Sequence, residues 1–249
     1  MIVYKSSGNY IIKLRIDLED DETKTNLNRT NVEECDKMFA RYRTNKAFVM
    51  EIYDKDTKTQ ITEIYSEYTP SFKYTVGAYV YENTYDDDAS KTTVAGIHFF
   101  LVEEIAFYWN KQIANGIFKK WYDNGKLERH FNYKNYKKTG LHQEWYDTGK
   151  KQFERNYDDD KLNGLCKDFY NDDNNNIKIE CNYKNNKLHG QYMSFYNNNN
   201  IKTECTYKNE KLYGLHKTYY DNKQIYIECN YNNDKMDGNY KEWYPDGKQ

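Results

Sequence analysis

The first 112 residues alternate between short apolar and polar runs and contain no repeat. Residues 4–16, YKSSGNYIIKLRI, place a Ser-Gly-Asn turn before an alternating run, which predicts a β-hairpin. Residues 46–54 and 72–82 are rich in aromatic and β-branched side chains and predict strands. Residues 102–113 have the spacing of a short amphipathic helix. This part of the chain is therefore predicted to be a small α+β module.

From Gly116 to Gln249 the pattern becomes periodic. Six glycines are separated by 24, 24, 26, 24 and 24 residues: Gly116, Gly140, Gly164, Gly190, Gly214 and Gly238. Five residues after each glycine comes an aromatic pair: Trp121-Tyr122, Trp145-Tyr146, Phe169-Tyr170, Phe195-Tyr196, Tyr219-Tyr220 and Trp243-Tyr244. This spacing predicts a tandem array of similar structural units.

Each unit contains two short aromatic-rich runs around a turn. The turn reads DNGK, DTGK or PDGK in three units and is rich in Asn in the others. A column of tyrosines ends the second run: Tyr133, Tyr157, Tyr183, Tyr207 and Tyr231. Such turns between strand-forming runs are a strong hairpin signal. With the turn at the hairpin tip, Lys167 faces Glu180 and Lys217 faces Glu228, the opposite-charge pairing that an antiparallel register favours.

These patterns predict a mainly β protein with two domains. Residues 1–112 form the α+β module, and residues 113–249 form a single-layer antiparallel β-meander of tandem hairpins. The array would hold five full repeats and a partial sixth, or about eleven strands. Three units lack the turn glycine, but Asn tolerates a positive φ, so their turns are expected to form.

Composition narrows the class of protein. Tyrosine supplies 28 of the 249 residues, which suits a thin sheet in which rings cover their neighbours and keep their polar edge in water. The formal net charge of −2 gives no argument for a polyanionic partner. The sequence has neither a long apolar run nor a signal-peptide pattern at its start, so we expect a cytoplasmic protein, in a host cell or a virion. Five cysteines without a CxxC motif favour neither a disulfide framework nor a zinc site.

The repeats resemble the MORN-type repeat in its variant form, which places an aromatic pair five residues after a glycine and ends in a K-L-x-G segment. The resemblance covers Gly116 to Gln249. It implies a β-meander that acts as a scaffold and brings no shared chemistry with it. Some members of the family resemble antitoxin or immunity proteins, and others are proposed to touch lipids.

A second resemblance concerns the N-terminal module. The segments that begin at Tyr42, Phe72 and Ala95 are together similar to an uncharacterised domain found beside repeat arrays in giant-virus and phage proteins. This resemblance spans about residues 1–109. It implies a viral origin and no known activity.

His98 is the strongest candidate for catalytic chemistry because it precedes the predicted helix that bears Glu103 and Glu104. Arg43 and Lys46 could bind an anion beside it. The simpler interpretation is a histidine at a strand end, next to a helix whose acidic first turn complements the helix dipole. We therefore predict no catalytic, cofactor-binding or metal-binding residue, and keep an enzyme with a site near His98 as an alternative.

The remaining histidines and cysteines follow the repeat. His142 and His216 occupy one column but lie three repeats apart, about 29 Å along a sheet, which is too far to share a metal. Cys181, Cys205 and Cys229 share another column, one repeat apart, which is beyond the reach of a disulfide. Cys166 is predicted to lie directly opposite Cys181. Free thiols are expected there in a reducing cytosol, with a cross-strand disulfide as the alternative.

The predicted function is a non-enzymatic protein-interaction scaffold of viral origin. The printed sequence stops at the turn of a sixth unit, so the strand around residues 240–244 is expected to have no following hairpin mate. Tyr240, Trp243 and Tyr244 are the predicted partner-binding residues, because large aromatic side chains dominate interface energetics. Either self-association or docking of an extended partner segment is expected at this strand.

Two further functions remain open at the level of sequence. The first is an antitoxin-like inhibitory binder of a single enzyme, as the repeat family implies. The second is binding of single-stranded nucleic acid, because lysines interleave the aromatic columns. A lipid surface stays open only because the resemblance to the repeat family implies it. Stacked tyrosines also hold a thin sheet together, however, and this favours a structural role for the columns. No cofactor is expected.

Overall fold

A computed structural model describes residues 1–69, 72–91 and 93–249 of the chain. The chain is mainly β, as predicted. It divides into two compact units, the first comprising residues 1–112 and 119–128 and the second residues 113–118 and 129–249. The tip of the first hairpin of the array therefore belongs to the first unit. The predicted boundary between two functional domains, after residue 112, stays a prediction.

Among the residues up to 112 that the structure describes, the first unit contains nine strands and two short helices. The strands are β1 (Ile2–Ser7), β2 (Tyr10–Arg15), β3 (Arg41–Thr44), β4 (Lys46–Asp54), β5 (Gln60–Ile61), β6 (Glu63–Tyr65), β7 (Lys73–Thr75), β8 (Tyr79–Tyr81) and β9 (Ile97–Phe100). A 3₁₀-helix covers Glu34–Phe39, and helix α1 covers Glu103–Tyr108. Seven strands form one sheet in the order β3-β9-β1-β2-β4-β5, with β8 paired to β4, and β6 pairs with β7 in a second, small sheet.

The predicted elements of this unit are found with two changes of extent. The first hairpin forms as β1 and β2, with Ser7 opposite Tyr10, and residues 46–54 form β4. The run 72–82 is two strands instead of one, because Gly77 adopts a φ of 82° and turns the chain between β7 and β8. Helix α1 has six residues, shorter than the predicted 102–113. No helix in the part of the chain that the structure describes is long and apolar enough to cross a membrane.

Two apolar clusters stabilise the first unit. The larger one gathers buried side chains from the main sheet, including Val3, Ile12, Val49 and Phe99. Burying an aliphatic or aromatic side chain of this size contributes about 1.5–3 kcal/mol. The smaller cluster joins the following residues: Phe100, Ile105, Ala106 and Trp121. Trp121 is the first aromatic residue of the repeat pattern, yet it packs in the core of the first unit.

The repeat array forms a twelve-stranded antiparallel sheet. Its strands are β10 (Gly116–Trp121), β11 (Leu127–Lys134), β12 (Lys137–Lys138), β13 (Gly140–Trp145), β14 (Lys151–Asp158), β15 (Lys161–Phe169), β16 (Ile177–Lys184), β17 (Lys187–Phe195), β18 (Ile201–Lys208), β19 (Lys211–Tyr219), β20 (Ile225–Asn232) and β21 (Lys235–Glu242). Eleven of them follow one another in chain order, and β12 pairs with β11 beside this path. The predicted meander is confirmed.

The predicted register is confirmed as well. Lys167 lies opposite Glu180, with 2.9 Å between Nζ and Oε2, and Lys217 lies opposite Glu228 at 3.3 Å. The turns without glycine also form, and Lys223 adopts the required positive φ of 70° in the most divergent one. A lysine with a positive φ costs about 1–2 kcal/mol relative to a right-handed conformation. The hydrogen bonds between the two strands that flank the turn must therefore stabilise it.

The K-L-x-G segments belong to strands. Consecutive units are joined by two-residue turns in which both residues have a positive φ, as at Asp159 and Asp160 with 50° and 65°. This is the type I′ geometry that matches the twist of antiparallel strands. The repeat glycine follows each turn, and Gly164 has a φ of 104° where the register shifts opposite residues 155–157. Only glycine adopts this conformation without strain, which explains why the residue recurs in every unit.

In four of the six aromatic pairs, the tyrosine in the second position joins one unit to the next. Its hydroxyl donates a hydrogen bond to the main-chain carbonyl of the first aromatic residue in the following unit. The four donor–acceptor pairs are Tyr146 to Phe169 at 3.5 Å, Tyr170 to Phe195 at 2.8 Å, Tyr196 to Tyr219 at 2.8 Å and Tyr220 to Trp243 at 3.0 Å. This column is therefore a ladder of hydrogen bonds between repeats.

Removal of one such hydroxyl should weaken the array measurably. We expect Tyr196→Phe to lower the free energy of unfolding of the second unit by about 0.5–1.5 kcal/mol, because the Tyr219 carbonyl loses its side-chain donor. Tyr213→Phe is the matched control, since Tyr213 is an exposed tyrosine of the same sheet. Urea unfolding of both variants measures the difference. Equal stability of the two variants would show that the hydroxyl ladder contributes nothing.

Candidate functional site

A cavity of about 370 Å³ lies within the first unit. Its wall combines two cationic side chains, an imidazole, hydroxyl groups and aromatic rings: Lys5, Arg41, His98, Ser66, Thr69, Thr93, Tyr68, Phe72, Tyr74, Phe100 and Trp109, together with the carboxylate of Glu82. A cavity of this volume falls within the range of small-molecule sites.

Lys5 enters the cavity wall from β1 and is only 9% exposed. Its ammonium group donates to the main-chain carbonyl of His98 at 3.4 Å and lies 5.7 Å from the centre of the Tyr74 ring. Burial, and then the nearby charge of Arg41, lowers the pKa of Lys5 from 10.5 to about 8. Lys5 is therefore a cation that has lost most of its hydration, and no carboxylate among the described residues forms an ion pair with it.

Arg41 reaches the same cavity from β3. Its Nη2 donates to a carboxylate oxygen of Asp123 at 3.0 Å, and its guanidinium group lies 5.2 Å from the centre of the Trp109 ring. The two contacts fix the plane of the guanidinium group. Two like charges, on Lys5 and Arg41, thus line one cavity.

His98 also lines the cavity, but Arg43 does not join it there. Arg43 lies opposite His98 in the pairing of β3 with β9. Its fully buried guanidinium group donates instead to main-chain carbonyls of Asp86, Asp88 and Lys91. Arg43 therefore holds the loop that precedes β9 in place.

The other residues predicted to act with His98 are engaged elsewhere. Lys46 Nζ lies 2.6 Å from a carboxylate oxygen of Asp20. Glu103 and Glu104 each form an ion pair with a lysine, at 3.0 and 2.8 Å. The hypothesis of an anion site built from His98 with Arg43 and Lys46 is therefore wrong, because both cations are consumed by structural contacts.

A second buried lysine has a structural role. Lys55 is 1% exposed, and its ammonium group donates to Ser6 Oγ at 2.7 Å and to the main-chain carbonyl of Trp109 at 2.8 Å. Burial, and then the charge of Lys111, lowers the pKa of Lys55 to about 8. These bonds tie β1 to the end of α1, so Lys55 is satisfied by the protein itself.

An acidic cluster on the 3₁₀-helix is neutralised by a lysine. Possible ligand atoms of Glu33, Cys35 and Asp36 lie within 4.8 Å of one another. The ammonium group of Lys126 is 3.0 Å from a carboxylate oxygen of each acid, and its hydrogen bond to Glu33 is the main cause of its raised pKa. This arrangement serves as an ion-pair network, and we assign no metal to it.

One face of the array carries the four thiols of the sheet and the imidazole groups of His142 and His216. Cys166 lies directly opposite Cys181, as predicted, and the four cysteines of the sheet are buried and free. His142 is fully buried and stacks on Phe131, with 4.5 Å between ring centres, while His216 lies on β19, six strands further on. These groups pack between aromatic rings, as expected for structural side chains.

The opposite face carries a row of alternating charge. The row crosses the sheet through the register partners Gln143, Glu154, Lys167, Glu180, Met193, Glu204, Lys217, Glu228 and Lys241. Within this row Lys167 forms an ion pair with Glu180 and Lys217 with Glu228, while Gln143 and Met193 are uncharged. The row does not form the basic stripe that nucleic-acid backbones require.

The predicted partner-binding residues lie on and just after β21. Every residue of this strand is exposed. Tyr240 is 49% and Tyr244 is 68% exposed, whereas Trp243 is half-buried and its main-chain N–H donates to the Tyr226 carbonyl at 2.9 Å. The structure thus presents two of the three predicted rings to solvent. Their role in binding stays a prediction.

The burial of the array thiols predicts a clear pattern of chemical modification. Burial raises the pKa of Cys181 to about 12 and that of Cys205 to about 11, and it also raises the pKa of Cys166. The reactive thiolate is therefore scarce at pH 8. We expect iodoacetamide to label Cys35, which is exposed, and to spare the four thiols of the sheet until the protein is unfolded. Peptide mass mapping measures this, and rapid labelling of Cys181 in the folded protein would contradict it.

Comparison with known sequences agrees with the geometry of the array. Four segments, residues 114–135, 138–159, 188–209 and 212–233, match the family described as MORN repeat variant. Residues 114–233 carry MORN-variant repeats. The stretch between the second and third matches, residues 160–187, holds the longer turn at residues 171–176, yet it continues the same meander.

The MORN-variant repeats follow a second recognised region. Residues 1–106 match a family of unknown function, DUF5758. A stretch of 63 residues, 24% of this chain, is 44% identical to Uncharacterized protein L223 of Acanthamoeba polyphaga mimivirus, and it covers 40% of that protein. The resemblance to a domain of giant viruses is consistent with this relative.

Sequence patterns did not reveal Lys5 and Arg41. Lys5 sits in an alternating hairpin and looks like an ordinary outward lysine, and Arg41 follows the 3₁₀-helix without a motif. The two residues meet because β9 pairs with both β1 and β3. This pairing joins segments more than 50 residues apart, which local periodicity does not report.

Proposed function

We propose that this protein is a non-enzymatic scaffold of viral origin, which holds a protein partner in the host cytoplasm or in the virion. The exposed rings around β21, on Tyr240 and Tyr244, with the half-buried Trp243 beside them, would anchor that partner. The giant-virus relative supports the viral origin.

The hydrogen-bond ladder between repeats is the observation that carries the proposal. Each tyrosine hydroxyl in the ladder forms a hydrogen bond inside the array, the four cysteines of the sheet and His142 are buried, and His142 and His216 contact aromatic rings. These polar groups therefore form contacts within the array, and the contacts make the sheet rigid. A rigid sheet that presents exposed aromatic side chains is suited to hold another protein with little loss of conformational entropy.

The families matched by the two regions carry no enzymatic description, and this favours a binding role over the enzyme alternative. The alternating charges on one face of the sheet favour a protein partner over single-stranded nucleic acid.

Affinity capture of the full chain from the cells that produce it tests the proposal. Wild type is compared with the double variant Tyr240→Lys, Trp243→Ala. We expect wild type to retain a discrete protein in near-stoichiometric amount and the double variant to retain at least about tenfold less, because buried aromatic anchors contribute 2 kcal/mol or more at interfaces.

The matched control is the double variant Lys217→Gln, Glu228→Gln, which removes an ion pair from the charged face of the sheet and should leave capture unchanged. Equal capture by wild type and by the Tyr240, Trp243 variant would contradict the proposal. Sedimentation of the purified chain shows whether a second copy of the chain, instead of a foreign protein, occupies this surface. If the wild type forms a dimer and the Tyr240, Trp243 variant does not, the partner at this surface is a second copy of the chain.

A further inference from the structure

The cavity of the first unit holds two cations close together. The charge of Arg41 acts on Lys5, and burial removes most of the hydration that would otherwise screen them. Asp123 accepts a hydrogen bond from Arg41, whereas Lys5 has only the carbonyl of His98 within hydrogen-bond distance among the described residues. An anion placed between Lys5 and Arg41 would relieve their mutual repulsion and restore the lost solvation.

Comparison with Lys55 shows that a buried lysine in this unit does not always lack close hydrogen-bond acceptors. Lys55 is buried more deeply, yet it donates at 2.7 and 2.8 Å to two oxygen atoms of the protein. Lys5 donates at 3.4 Å to one. The fold thus gives one buried lysine two close acceptors and leaves the other beside an open volume with one distant acceptor.

We propose that this cavity binds a small phosphorylated molecule of the size of a mononucleotide, with Lys5 and Arg41 on the phosphate. The inference is independent of the scaffold function, because it concerns the first unit alone. Arginine and lysine together suit a phosphate group, the one through a fixed fork of donors and the other as a compact charge.

The rest of the wall fits the body of such a ligand. Hydroxyl groups of Ser66, Thr69 and Thr93 offer further hydrogen bonds, and the rings of Tyr68 and Phe72 offer apolar surface. The volume of about 370 Å³ accommodates a single nucleotide and is too small for a polymer segment. Glu82 lies in the same wall and opposes an anion, so its charge sets a limit on affinity.

Isothermal titration calorimetry of the full chain with three probes tests the proposal. The probes are adenosine 5′-monophosphate, adenosine and inorganic phosphate. We expect the monophosphate to bind, and adenosine and inorganic phosphate each to bind at least about tenfold more weakly, since each lacks one half of the contacts.

Two substitutions, one that removes a positive charge and one that removes a negative charge, test whether binding occurs in this cavity. Lys5→Met should weaken binding of the monophosphate by at least about tenfold, and Glu82→Gln should strengthen it several-fold. Lys13→Met is the matched control, because Lys13 is a cation of the same unit that pairs with Glu51 outside the cavity, and it should change affinity less than about twofold. A thermal melt of each variant verifies folding, and Glu82→Gln carries the test if Lys5→Met does not fold.

Four results would overturn the proposal. They are no binding of the monophosphate, adenosine binding as tightly as the monophosphate, inorganic phosphate binding as tightly as the monophosphate, and affinity unchanged by both Lys5→Met and Glu82→Gln.

Discussion

Trp121→Ala is expected to lower the free energy of unfolding of the first unit by about 3–5 kcal/mol. The Trp121 ring is 9% exposed and stacks parallel to Phe39, with 6.5 Å between ring centres. It also packs against Tyr108, with 6.1 Å between ring centres. Truncation would remove these contacts and leave a cavity among side chains that cannot collapse to fill it. Segment-resolved hydrogen exchange measures the loss as faster exchange across residues 1–112.

Trp145→Ala provides the matched control. Trp145 occupies the same column of the repeat but belongs to the second unit, where it is half-buried. We expect it to cost about 1–2 kcal/mol, because a half-buried side chain loses less apolar contact, and to leave exchange in residues 1–112 unchanged. Similar losses for both variants within the first unit would show that the assignment of Trp121 to its core is wrong.

Arg43→Met is expected to lower the stability of the first unit by about 3–5 kcal/mol. The substitution keeps a long apolar stem but removes the donors for the carbonyls of Asp86, Asp88 and Lys91. The Asp88 carbonyl keeps the main-chain N–H of Lys91 as a donor, whereas the partly buried carbonyls of Asp86 and Lys91 lose the bonds from Arg43, at a cost of about 1–3 kcal/mol each. The aliphatic part of Arg43 also packs on Gly96, at 2.8 Å from the position that a side-chain carbon there would take. Urea unfolding followed by circular dichroism measures the change.

Arg15→Met serves as the control for the loss of an arginine. Arg15 is exposed and lies over the Phe48 ring, 4.7 Å from its centre, so its replacement should cost less than about 1 kcal/mol. Equal effects of the two substitutions would mean that the bonds of Arg43 to the 86–91 loop contribute no more than a surface contact.

The architecture of the array could be predicted from sequence because its information is local. The spacing of the repeat glycines sets the unit, the turn residues set the tips, and the facing charges of Lys167 and Glu180 set the register. The hydrogen bonds of the ladder tyrosines, Tyr146, Tyr170, Tyr196 and Tyr220, could not be predicted in the same way. The partner of each hydroxyl is a carbonyl 23–25 residues further along the chain, and a carbonyl carries no sequence signal.

The first unit could be predicted only in pieces. Its hairpin and the strand 46–54 follow local patterns, but the order β3-β9-β1-β2-β4-β5 depends on pairings between distant segments. The cavity arises from that order, since it brings Lys5 beside Arg41. The sequence pattern singled out His98, which lines the cavity, but it placed Arg43 beside His98, and the donors of Arg43 are bound by the loop that precedes β9.

Site-specific photo-crosslinking tests most directly whether the exposed rings around β21 hold a protein partner. A benzophenone amino acid replaces Tyr244 in one version of the full chain and Tyr213, an exposed tyrosine of β19, in another. Irradiation in the producing cells should join the Tyr244 version to one discrete foreign protein, and the Tyr213 version should give at least about tenfold less of that product. Equal yields from both positions, or products that contain only this chain, would contradict the proposed scaffold.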